Sequence, residues 1–99
     1  MKVIRFNTPT GEHEIPLIEV AKHRAGHYHP TDDVGFQEEV DFVMEDDYEG
    51  VDWLINNSDF KDWNHVAKKI NNKVNVTEED FWCDSSDFEI INSTKYHEN

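Results

Sequence analysis

Glu19, His23 and His27 stand four residues apart, and His29 follows two further on. On one side of a continuous helix they would offer a carboxylate and imidazoles to zinc or another divalent metal. Gly26 falls between two of the histidines, where a helix should be failing, and no HExxH sequence is present. Neither the geometry nor the general base of a metalloprotease follows. A small divalent-metal-binding domain using Glu19, His23, His27 and His29 is therefore the alternative function, set against histidines that merely sit in a partly exposed loop.

The carboxylates make the second group. Residues 31–60 contain eleven acids and no Lys or Arg, so most of the formal net charge of −13 arises in the middle of the chain. Glu38, Glu39, Asp41, Glu45, Asp46 and Glu49 have spacings that let several share a helix face. Asp47 and Asp52 extend the segment, and Trp53 offers an aromatic anchor rimmed by carboxylates. Those nine residues are the expected docking site for a basic protein surface, a nucleic-acid-binding protein among the candidates, with electrostatic steering that weakens in salt. Imitation of duplex DNA has a harder test. A folded chain of this mass exposes roughly 5,900 Å², so its acids average about one per 270 Å², against about one per 100 Å² for duplex DNA. Mimicry requires the central acids to share one face, and a solvated helix face is the plainer explanation.

Glu45-Asp46-Asp47-Tyr48-Glu49-Gly50 can be aligned with a calcium loop by placing Gly50 at the sixth position. The twelfth is then Asn56 in place of a bidentate glutamate, and Trp53 occupies the ninth, so no proper EF-hand is formed. Catalytic signatures are missing: there is no glycine-rich phosphate loop, nucleophile elbow or C-x-x-C pair. The single cysteine, Cys83, lies beside Asp84, which disfavours the thiolate. We expect no enzyme and no cofactor. The few scattered bases also argue against direct nucleic-acid binding.

The elements that must carry these residues follow from periodicity. Val3–Phe6, the turn chemistry of Thr8-Pro9-Thr10-Gly11 and Glu12–Ile15 predict a β-hairpin. Leu17, Val20 and Ala21 recur at helical spacing after Pro16, giving a first helix over about residues 16–25 that ends at Gly26. Phe36, Val40, Val43 and Met44 give a second, from Thr31-Asp32-Asp33 to about Asp46. A break at Tyr48-Glu49-Gly50 precedes a short helix through Val51–Ile55. Ser58 then opens a fourth helix with an apolar stripe of Trp63, Val66, Ala67 and Ile70. Thr77-Glu78-Glu79-Asp80 resembles a capping sequence opening one or two turns, and Phe88–Ile91 reads as a strand available to the hairpin.

Ninety-nine residues with 36% hydrophobic and 12% aromatic content suffice for one core and for no second domain. No run approaches the ~18–20 apolar residues of a membrane span, and the N-terminus lacks a signal peptide's pattern, so cytoplasmic location is expected.

Met44–Leu54, followed by Lys73–Trp82, resembles small acidic proteins of unassigned function in tailed phages of marine cyanobacteria. Nine Asn and seven Lys against two Arg and three Ala fit the AT-rich genomes of such phages and not a GC-rich halophile. The resemblance covers most of the chain and carries over no catalytic residue. It implies an accessory protein acting on a host or phage protein in the host cytoplasm.

The expectation is thus a single α+β domain over residues 1–99 with a frayed tail at 94–99. An N-terminal hairpin, with Phe88–Ile91 as a possible third strand, packs with three or four short helices through Phe36, Val40, Val43, Leu54, Trp63, Val66 and Ile70. Its expected function is that of a non-enzymatic acidic interaction protein.

Overall fold

A computed structural model describes residues 1–73, 77, 81–82 and 88–92. They form an α+β domain in which an antiparallel four-stranded sheet, ordered β3-β2-β1-β4, is backed by three helices. The strands are β1 (Lys2–Thr8), β2 (Gly11–Pro16), β3 (Lys68–Asn71) and β4 (Glu89–Asn92). The helices are α1 (Leu17–Tyr28), α2 (Asp33–Glu45) and α3 (Asp47–Asn57), followed by a single 3-10 turn at Phe60–Asp62.

The hairpin forms where the turn chemistry placed it, with Ile4 opposite Ile15 and Phe6 opposite His13. Gly11 has φ +143°, and a Cβ there would collide with the Asn71 backbone carbonyl, so a glycine is needed for β3 to lie against β2. Ile4, Phe6 and Ile15 point inward against Leu17, Val20, Ala21 and Ala25 of α1. Val40 and Val43 of α2, Val51, Trp53 and Leu54 of α3, and Trp63 and Phe88 complete the core. The other sheet face carries alternating charge at one level: Lys68 lies opposite Glu14, Glu14 opposite Arg5, and Arg5 opposite Glu89. Arg5 donates from Nε (3.0 Å) and Nη2 (2.6 Å) to one oxygen of the buried Glu14. That bond, aided by the charges of Glu14, Glu12 and Glu89 and opposed by burial, raises the already high pKa of the guanidinium.

Four expectations are corrected. The fourth helix is absent: after the 3-10 turn, the Val66 and Ala67 N–H groups close a single turn on the Trp63 carbonyl at 2.9 and 2.7 Å, and the chain then enters β3. Trp63 is buried and Val66 and Ala67 pack against the core, while Ile70 is exposed on the edge strand and is no core residue. Tyr48-Glu49-Gly50 is not a break but the first turn of α3, because Gly50 is the close-packing point between α3 and Leu17. Helix α1 also runs past Gly26 to Tyr28, where Pro30 holds the preceding His29 in a non-helical conformation. The C-terminal strand pairs with β1, placing Val3 opposite Ile91. Among the described residues no helix is long and apolar enough to cross a membrane. Cys83, Glu78–Asp80 and the tail at 94–99 lie outside the described residues.

Candidate functional site

Helix α2 owes its orientation to two faces of unlike composition. Val40 and Val43 are buried against α1 and the core. Val34, Glu38, Asp41 and Glu45, spaced four, three and four residues apart, stand on the opposite side and are all exposed. This outward row carries three carboxylates and no base. Beside it Phe42 is 45% exposed, one turn from Glu38 and next to Asp41.

Phe42 is held by Arg24 of α1. The Arg24 guanidinium lies 5.2 Å from the Phe42 ring and 5.3 Å from the Tyr28 ring, and its Nη1 donates to Glu39 Oε1 at 2.8 Å. A planar cation between two rings, pinned at one edge by a carboxylate, ties α1 to α2 and fixes both aromatic side chains at the surface. Tyr28 and, on α3, Tyr48 are more exposed still.

The expected docking residues separate accordingly. Glu38, Asp41, Glu45, Asp46 and Asp52 are exposed, and Glu49 is half-buried. Asp41 accepts from the Gln37 amide and Asp52 from the Asn56 amide, each one turn away. Glu39 is engaged by Arg24, and Asp47 pairs with Lys2 at 2.9 Å. Trp53 is buried with only 4% exposure, so it cannot serve as the exposed anchor. Phe42 and Tyr28, the two rings in contact with Arg24, are exposed instead. Phe42 is legible in the sequence as the aromatic that falls outside the 36, 40, 43, 44 repeat.

All three tryptophans have structural duties. Trp53 Nε1 donates to His23 Nδ1 at 2.9 Å, and Trp63 Nε1 to Ser58 Oγ at 2.8 Å. Trp82 Nε1 reaches the Leu54 and Ser58 carbonyls at 3.1 and 2.9 Å, closing the C-terminal end of α3 together with the Ser58 hydroxyl, which donates to Leu54 O.

The histidines are also placed. His23 and His27 pack their rings on Trp53, and His29 lies 3.7 Å from Asp32 and 3.9 Å from Glu39. Glu19 is nearest to Lys22. Among the described residues no three His, Cys, Asp or Glu side chains are arranged to hold a metal ion, so Glu19, His23, His27 and His29 do not form a ligand set. The histidine at position 13 was no candidate, yet it is buried between Phe6 and Phe60. Burial lowers its pKa; the Gly11 carbonyl opposes that shift and the Lys69 charge adds to it.

No protein-family model, curated protein or solved structure matches this chain.

Proposed function

We propose that the protein is a non-enzymatic interaction module whose α2 face, Glu38, Asp41 and Glu45 beside Phe42, docks on a basic surface of a partner protein. One observation carries the reading: these carboxylates lie in a single outward row with no interspersed base, next to an aromatic ring that the Arg24 clamp holds at the surface. Like charges three and four residues apart cost a helix a few tenths of a kcal/mol each, so the row is no device for stabilising α2. An aromatic anchor with a charged rim suits a site where charge steers the encounter and the ring supplies affinity. The phage resemblance is consistent with an accessory protein acting on a host or phage protein in the host cytoplasm.

Charge density favours a protein surface over imitation of a duplex. Glu38 to Glu45 spans about 10.5 Å of helix axis with three charges, where duplex DNA would present about six.

The test is capture by the tagged chain from bacterial and cyanobacterial lysates, eluted on a salt gradient, beside E38K/D41K/E45K and F42A. A discrete basic protein released as salt rises, lost with the charge-reversed row and weakened by F42A, supports the reading. Equal capture by wild type and the charge-reversed chain overturns it.

A further inference from the structure

Of the three indole N–H groups, those of Trp63 and Trp82 donate to a hydroxyl and to carbonyl oxygens, which do not titrate in the ordinary pH range. Trp53 differs, because its acceptor is the Nδ1 of His23, 2.9 Å away. An indole N–H can only donate, so Nδ1 must present its lone pair and the imidazole must be neutral, with its proton on Nε2. We propose that the His23–Trp53 bond is a pH-operated latch between α1 and α3, closed while His23 is neutral and released when Nδ1 takes up a proton.

The placement of the two rings makes this workable. Trp53 is buried in the core, whereas His23 is exposed, so the proton arrives from water without any opening of the core. Once Nδ1 is protonated, two N–H groups face each other across 2.9 Å and the bond is lost. The buried indole then has to turn toward another acceptor or remain unpaired, while in the neutral state it has a partner.

The charged surroundings do not rescue the closed form. On α1, Glu19 precedes His23 by one turn and is nearest to Lys22, while His27 follows by one turn and packs its own ring on Trp53. From α3 the facing group is the Trp53 indole, and its neighbour Asp52 is committed to Asn56. From the turn after the 3-10 segment it is the Trp63 ring, 4.9 Å away, and the adjacent Asp62 accepts from the Asp59 backbone N–H. Among the described residues no carboxylate forms an ion pair with His23. A charged His27 would add repulsion one turn away. The two indole faces can hold an imidazolium through their π-clouds, which keeps a released ring near the surface of the core and makes release a local event.

The experiment follows the three indole Nε1–H resonances and the histidine ring signals by NMR between about pH 8 and pH 5, the span in which histidines ordinarily change charge. The full chain is compared with H23Q, whose amide oxygen can accept the indole bond without titrating, and with H27Q. The Trp53 indole resonance should move with the same midpoint as the His23 ring. Its hydrogen exchange should accelerate about 10-fold relative to the Trp63 indole, the equivalent of one hydrogen bond. Both effects should persist in H27Q and vanish in H23Q. A Trp53 resonance that stays still while His23 titrates overturns the latch, as does a shift retained in H23Q or lost in H27Q.

Discussion

Replacing Gly50 and Gly26 by alanine should move stability in opposite directions. Both glycines lie within helices, where alanine is favoured by about 1 kcal/mol. At Gly26 the nearest atom to an added Cβ is Phe36 Cε2 at 3.9 Å, an ordinary contact, so G26A should stabilise by about 0.5–1 kcal/mol. At Gly50 the Cβ would lie 2.6 Å from Leu17 Cδ1 and 3.3 Å from Val43 Cγ1. Carbon atoms prefer about 3.5–4.0 Å, so the end of the fully buried Leu17 side chain must shift within the core to admit the methyl group. Overpacking of this kind costs about 1–3 kcal/mol, which offsets or exceeds the helix gain, so G50A should destabilise by up to about 2 kcal/mol. The assay is urea unfolding followed by far-UV circular dichroism, with midpoint shifts at unchanged slope. In thermal melts each kcal/mol corresponds to about 4–8 °C at this chain length. Replacing Leu17 by valine removes the offending Cδ1, so G50A should become stabilising in the L17V background. If G50A stabilises the wild-type chain as much as G26A does, α3 does not approach Leu17 this closely and the reading of Gly50 as a packing point fails.

Three further outcomes are expected. Ser58→Ala removes the acceptor of the buried Trp63 indole and a donor to the end of α3, and should cost about 1–3 kcal/mol in urea unfolding. Arg24→Lys should fail to restore the stability lost in Arg24→Met, a loss of about 1–3 kcal/mol, because an ammonium cannot lie flat between Tyr28 and Phe42 while bonding Glu39; full rescue by lysine would refute the stacking argument. Burial lowers the pKa of His13 in the fold, so the unfolded chain takes up its proton at higher pH. Its contribution is complete above about pH 6.5 and declines as pH falls through that value toward the lowered folded one. The stability lost between pH 7.5 and 5.5 should therefore be smaller in H13F than in wild type, and equal losses would count against it.

Much of the fold was legible because local and tertiary preferences agree there. Thr8-Pro9-Thr10-Gly11 demands a turn and the flanking residues alternate, so the hairpin and its register follow. The repeat of Phe36, Val40 and Val43 marks α2 for the same reason. Residues 63–70 mislead because Trp63, Val66, Ala67 and Ile70 do have helical spacing, and the chain does make one turn there. Edge pairing then prevails: β2 has an open side, Glu14 lies opposite Lys68, and the strand forms against the local pattern. Gly50 misleads differently, since a glycine needed for close packing cannot be told from a helix breaker by its identity. The burial of Trp53 was equally hidden, because its acceptor, His23, is thirty residues away in the chain.

The acids show why net charge is a coarse guide to function in this chain. Asp33, Asp47 and Glu49 occupy first turns of helices, where the dipole favours them. Asp59 and Asp62 cap the 3-10 turn reciprocally, Glu39 and Asp47 are in ion pairs, and Asp41 and Asp52 accept from amides one turn away. Folding thus has a use for most of the central carboxylates. Glu38, Glu45 and Asp46 have no side-chain hydrogen bond or ion pair among the described residues; the first two stand on either side of Asp41 in one row beside Phe42, and Asp46 lies where α2 passes into α3. A solubilising surface would be served by acids anywhere and by interspersed bases as well. Two of these three acids lie on a helix face that also holds an exposed ring, and the proposed docking surface rests on that pairing.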